Sequence, residues 1–190
     1  EREIWLRSLF EVSPAGILVL DLSGKVTDCN RRFADMLGFA VNEIVGRQYL
    51  DLVLPEQIES ARKGVGKMLV DPSMDVFSSE RAYVRRNGSV LLGLLSARRL
   101  PNTEGSDGVL LVTVNDISDL RQAEAQRLES ETKLQAVFNA SPAAMIVSDV
   151  ARNFASVAAN DVWERQFMRS REDVMGLSGA EMGLWASVED

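Results

Sequence analysis

Apolar positions along this chain change their period twice. Near the start they fall at Ile4, Trp5, Leu9 and Phe10, a helical spacing with one apolar stripe. Ser13-Pro14 ends that helix, because the residue before a proline is pushed out of the α region. GILVLD at 16–21 reads as a buried strand, Leu22-Ser23-Gly24 as a turn, and 26–30 as the returning strand of a hairpin. Helical spacing then resumes. Residues 31–37 turn Phe33, Met36 and Leu37 inward and stop at Gly38. Residues 41–45 form a second short helix closed by Gly46, and 55–69 a longer one with Ile58, Ala61, Val65 and Met68 on one face. Next the period drops from 3.6 to 2. Residues 77–85 and 89–100 read as strands joined by Arg86-Asn87-Gly88, whose Asn-Gly pair accepts the positive φ of a tight hairpin. Residues 102–108 are a polar loop and 109–114 a last strand. The order β-β-α-α-α-β-β-β gives an α+β domain whose antiparallel sheet buries one face against its own helices.

The pattern then starts again. LRSLF at 6–10 aligns with LQAVF at 134–138, Ser13-Pro14 with Ser141-Pro142, and Asp21 with Asp149, all at an offset of 128. Beyond the first strand the offset is 130: Asn30 aligns with Asn160, Phe33 with Trp163, Leu37 with Phe167, Ile44 with Val174 and Gly46 with Gly176. Two residues have entered the first hairpin turn. A period this long marks tandem domains rather than a solenoid. The expected division is a first domain at 1–118, a helical connector at 119–138, and the amino-terminal half of a second domain at 139–190. The second copy covers about half of the first, so the chain is expected to belong to a longer protein. Met145, Val147, Trp163 and Phe167 are expected to need cover from elsewhere.

The connector contains neither Gly nor Pro and many helix formers, so it is expected to fuse with the helix opening the second copy into a rod of ~30 Å. Ser118 is the expected N-cap, with Asp119 favourable in the first turn. Heptad placement gives Ile117, Leu120, Glu124, Arg127, Glu131, Leu134 and Phe138 at the seam. Its charged members break the apolar stripe of a strong coiled coil.

Composition narrows the chemistry. The apolar content of 46% and charged content of 26% are ordinary for a globular chain. A net charge of -7 repels the phosphate backbone, so no nucleic-acid partner is expected. Arg85-Arg86 and Arg98-Arg99 read as solvated strand ends. No apolar run approaches the ~18–20 residues of a membrane span, so no membrane contact is expected. The single cysteine, Cys29, fits a reducing compartment and a cytoplasmic location. Histidine is absent, which removes the commonest general base, metal ligand and haem ligand. No catalytic or metal site is expected.

The residues resemble the PAS domain, a sensor module common in bacterial signalling proteins such as sensor histidine kinases and diguanylate cyclases. The matching features are the apolar leading helix followed by Phe10, Ser13 and Pro14, the strand ending in Asp21, and Asn30 opening a helix. Gly38-Phe39, Ile44-Val45-Gly46, the Asn87-Gly88 hairpin and the terminal Asp116-Ile117-Ser118 also fit. The resemblance implies a five-stranded sheet of order 2-1-5-4-3 with helices on one face. Ala40 stands where the family usually carries an N-cap hydroxyl, a loss of about 1 kcal/mol. Ser170 followed by Asp173 restores a capping box in the second copy.

The resemblance also implies a ligand cavity between sheet and helices. The candidate lining is Phe33, Leu37, Met68, Tyr83, Leu91, Gly93, Leu95, Val112 and Val114. Gly93 leaves room for a ligand or, as the favoured reading, for close helix packing. Blue-light members carry a reactive cysteine on a helix matching 46–54, where this chain has GRQYLDLVL, and present amides where it has Tyr83 and Gly93. Covalent flavin is therefore disfavoured, as is His-ligated haem. Cys29 reads as a small buried hydrophobe. Noncovalent FAD, a small organic acid or no ligand remain for the cavity. The expected function is a sensory input module that binds a small ligand or partner. It passes the change through Asp116, Ile117 and Ser118 to the connector and an output domain, and it forms a homodimer through its leading and connector helices. The alternatives are a ligand-free dimerisation module and a noncovalent flavin redox sensor.

Overall fold

Period-2 alternation puts Gly16, Leu18 and Leu20 on the inward face of β1 (Gly16–Leu20). The same rule buries Leu110, Val112 and Val114 of β5 (Val109–Asp116), and Leu91, Gly93, Leu95 and Ala97 of β4 (Val90–Leu100). With β2 (Val26–Cys29) and β3 (Phe77–Val84) they form one antiparallel sheet in the order β2-β1-β5-β4-β3. This is the order the resemblance implied. These relations come from a computed structural model that describes residues 2–70, 76–100 and 108–184. Most of the expected polar loop, 101–107, lies outside the described residues.

Helices α2 (Arg31–Leu37), α3 (Val41–Ile44) and α4 (Ile58–Val70) cover the inward face, bringing Phe33, Leu37, Ile44, Ala61 and Met68 into the core. The long helix expected from residue 55 opens instead as a 3-10 turn, Pro55–Gln57, with Pro55 at its first position. At Ala40 no side chain caps α3, but the Glu43 carboxylate accepts from the Ala40 N–H at 2.8 Å, which is half of a capping box. The leading helix α1 (Arg2–Val12) buries no residue, and its stripe of Ile4, Trp5 and Leu9 is exposed.

The segment from Gly46 to Leu54 ties both edges of the sheet. Gly46 donates to the Val26 carbonyl and Val26 to that of Arg47 (2.8 and 2.9 Å), fastening one end to edge strand β2. At the other end Leu54 donates to the Ala82 carbonyl at 2.8 Å, and Val53 bridges Tyr83 on edge strand β3. Between them a 3-10 turn, Tyr49–Leu52, lowers Tyr49 and Leu52 into the core.

The chain folds as two compact units, Glu1–Gln122 and Ala123–Asp190, and the boundary falls inside helix α5 (Ser118–Ala140). At 23 residues α5 is about 35 Å long, and it buries no side chain. In the second unit β6 (Ile146–Asp149) pairs antiparallel with β7 (Ala155–Ala159), followed by α6 (Asp161–Phe167) and α7 (Arg171–Val174). Its small core is Ala159, Trp163, Val174 and Met182. Trp163, expected to need cover from elsewhere, is covered within its own unit, whereas Val147 and Phe167 are exposed.

The sequence repeat returns as a repeat of hydrogen bonds. Asn30 Oδ1 accepts from the Ile17 and Phe33 N–H groups, and its amide donates to the Phe10 and Ala15 carbonyls. Asn160 Oδ1 accepts from Met145 and Trp163, and its amide donates to Phe138 and Ala143. Each pair of partners differs by the same offset as the sequence. Both asparagines are fully buried, and each joins the end of one helix, the chain leading into the next hairpin and the start of the following helix. Ser170 Oγ caps α7 by accepting from Glu172 N–H, but among the described residues the Asp173 carboxylate makes no return bond, so the expected box is half formed.

Candidate functional site: the interior and exit of the first unit

The nine candidate lining residues are all buried, yet they fall into two groups. Phe33, Leu37, Tyr83, Leu91, Gly93 and Val114 form a packed end of the core. Phe33 and Tyr83 meet edge to face, with ring centres 6.2 Å apart. A Cβ placed on Gly93 would lie 2.6 Å from Val114 Cγ1 and 3.0 Å from Tyr83 Cε2. Gly93 therefore serves neither ligand room nor helix packing. Side chains of its neighbours on the sheet close over it, because a strand position without a Cβ lets them meet there.

Met68, Leu95 and Val112 belong to the second group. With Leu20, Tyr49, Ala61, Val65, Phe77, Ala97 and Leu110 they line a cavity of about 20 Å³, room for about one water. One charged side chain, Arg81 of β3, also lines it and is only 2% exposed. Arg81 Nη1 donates to the Gln57 carbonyl and Ser60 Oγ, both at 3.3 Å, while Nε is buried with no hydrogen-bond partner. The Tyr49 and Tyr83 hydroxyls lie 3.1 Å apart beside it. Burial pushes both phenols above their ordinary value, and the Arg81 charge opposes this at each. Arg81 and Tyr49 are the site residues that sequence reasoning missed.

Cys29 on β2 is a buried free thiol, as read from sequence, and burial pushes its pKa up to about 11. It stays protonated at neutral pH and is no nucleophile there.

The exit is built from β5, the β3–β4 hairpin and the start of α5. Ser118, expected to be the N-cap, is instead the first helical residue. Asp116 does the capping: its Oδ1 accepts from the Ser118 N–H at 2.9 Å. The Ser118 hydroxyl is thereby free to accept from the Leu92 N–H of β4 at 3.0 Å, and Ile117 donates to the Leu92 carbonyl at 2.9 Å. Arg85, read from sequence as a solvated strand end, is half-buried. Its Nε donates to the Met36 carbonyl near the end of α2 at 3.1 Å, and its Nη2 reaches Asp116 Oδ2 at 3.2 Å. Partial burial works to raise the Asp116 pKa. The Ser118 bonds and the Arg85 charge outweigh it, so the carboxyl lies below its ordinary value. Arg86 pairs with Glu43 at 2.8 Å.

Among the described residues no helix is long and apolar enough to cross a membrane. The family described as PAS domain matches residues 14–119. A probable diguanylate cyclase, DgcE, of Escherichia coli K12 is 27% identical over 124 residues, which cover 65% of this chain and 11% of that protein. The sensor histidine kinase TmoS of Ectopseudomonas mendocina is 20% identical over 158 residues, covering 81% of this chain and 16% of that protein. This chain thus spans a small part of either relative. Among solved structures, the PAS domain of an HTR-like protein from Haloarcula marismortui is 29% identical with a TM-score of 0.54, covering 61% of this chain and 92% of that one. A domain of a sensory box sensor histidine kinase/response regulator from Geobacter sulfurreducens is 26% identical with a TM-score of 0.51, covering 60% and 94%. The match spans more than half of the sequence and carries the whole five-stranded sheet, and the chain belongs to the PAS domain family.

Proposed function

We propose that the first unit is a non-catalytic sensory input module whose interior is coupled to α5 through the Arg85–Asp116 clamp. The observation that carries this is the double engagement of Arg85, which holds a carbonyl near the end of α2 and the carboxylate that caps α5. A change in how α2 packs on the sheet moves Arg85, and with it the order of the first turn of α5. The output domain belongs to a longer cytoplasmic protein. The likeness to a diguanylate cyclase and a sensor histidine kinase supports those two output classes. The second unit is read as the first half of another PAS domain, supported by the repeated asparagine bonds. A homodimer through α1 and α5 is supported by the exposed Ile4, Trp5 and Leu9 stripe.

Hydrogen exchange in the intact chain tests the coupling. Truncating the core side chain by which α2 packs on the sheet, as in Phe33→Ala, should speed exchange of the amides at 118–122. In an Arg85→Gln background that added effect should vanish. Exchange at 118–122 that ignores the core change in the wild-type background overturns the reading.

A further inference from the structure

Helix α1 is attached by its polar side. Ile4, Trp5, Leu6, Leu9 and Val12 are all exposed, and no residue of the helix is buried. Polar bonds hold it, and among the described residues those that leave the helix all land on 28–31, where β2 runs into α2. Arg7 Nη1 donates to Asp28 Oδ2 at 2.6 Å, and Arg7 Nη2 lies 3.2 Å from Glu11 Oε1. Glu11 Oε2 accepts from the Arg31 N–H at 3.0 Å, and the Phe10 carbonyl accepts from the Asn30 amide at 2.9 Å. The Arg7 guanidinium also lies over the half-buried Phe10 ring, 5.1 Å from its centre.

The second unit shows which of these bonds the asparagine junction itself needs. Asn160 holds the Phe138 carbonyl at 3.0 Å, as Asn30 holds that of Phe10. Yet Gln135 and Ala158 stand at the offsets of Arg7 and Asp28, and Asn139 and Asp161 at those of Glu11 and Arg31. The junction thus forms without the charged group, and Arg7, Asp28 and Glu11 are an addition peculiar to the first unit. Their side chains are 54%, 38% and 36% exposed. Ion pairs this open to water weaken as salt screens them, whereas the buried apolar core beneath the sheet does not. We infer that Arg7 is a latch that docks α1 on 28–31, and that screening or removing its charge releases α1 while the sheet and α2–α4 stay folded. The leading helix then opens locally, at a lower free energy than the core strands. The latch acts at the entrance of the first unit and does not depend on the Arg85–Asp116 clamp at its exit.

Hydrogen exchange of the 190-residue chain, followed by NMR at about 50 mM and about 500 mM NaCl, tests this. The amides at 7–12 should exchange about two- to fivefold faster at the higher salt, the range of an exposed ion pair, while those of β1, β4 and β5 hold. Arg7→Gln should reach the faster rate already at low salt and lose the salt response. Asp28→Asn should act in the same direction, and the double variant should exchange no faster than Arg7→Gln, because both substitutions remove one interaction. Should Arg7→Gln not fold, the salt response of the wild-type chain decides alone. Exchange at 7–12 that ignores salt, or slows with it, overturns the latch, as do additive effects of the two substitutions. Acceleration throughout β1–β5 in Arg7→Gln shows that the pair holds the whole unit, and overturns the release of α1 by itself.

Discussion

Single atoms decide much of this domain's stability. Asn30 satisfies four backbone groups at once, two donors and two acceptors, from a fully buried position. Asn30→Ala should cost about 3–4 kcal/mol, measured by urea unfolding of the first unit, because it strands those groups rather than deleting one bond. Gly93→Ala should cost about 1–3 kcal/mol, since its new methyl meets Val114 and Tyr83 and neither can leave the closed end of the core. Asn30 was legible from sequence as a helix start, but not as a four-way junction. Arg81 was missed although its signal was present. Tyr83 was read as inward, and Arg81 stands two residues earlier on the same face of β3. Its charge argued against burial more loudly than its position argued for it. Tyr49 had no such signal, because the 3-10 segment that carries it has neither period.

At the scale of elements, period and punctuation located the strands and helices of the first unit closely. They failed where an element's end is set by tertiary bonds. Ser118 reads as a cap in isolation, but β4 claims its hydroxyl and Asp116 takes over. Because the Asp116 carboxyl is lowered from 3.8, its contribution is fully present above that pH and is lost as pH falls through the native value. Carbon-13 titration of the Asp116 carboxyl should therefore show a midpoint below 3.8, and amide protection at the start of α5 should fall with it. Asp116→Asn should remove this acid step. The helix ends also differ between the units. Gly38 closes α2 at φ 76°, whereas Met168 closes α6 at φ 53°. A left-handed residue with a Cβ is strained, and Met168 is 89% exposed, so it packs against little. Met168→Gly should stabilise the second unit by about 1 kcal/mol, read as slower exchange at 161–168.

At the scale of the whole molecule, the recurrence of the buried asparagine junction was legible because Asn30 and Asn160 stand at a fixed offset with their neighbours. What lies on the exposed apolar side chains was not, since a sequence states which residues are apolar and not what meets them. If α1 holds a second copy, Trp5→Glu should shift the sedimentation coefficient to that of a monomer while leaving the folding of the first unit intact.

The strap from Gly46 to Leu54 has a further consequence for a chain that writes nearly the same first strand twice, SPAGILVLD and SPAAMIVSD. Two such strands in one polypeptide invite misassembly, in which one copy's strand joins the wrong sheet during synthesis. A stray strand can add only where backbone groups stand unpaired. In the first unit the strap bonds to Val26 on one outer strand and to Ala82 and Tyr83 on the other. At those positions a wandering twin finds the edge groups already bonded.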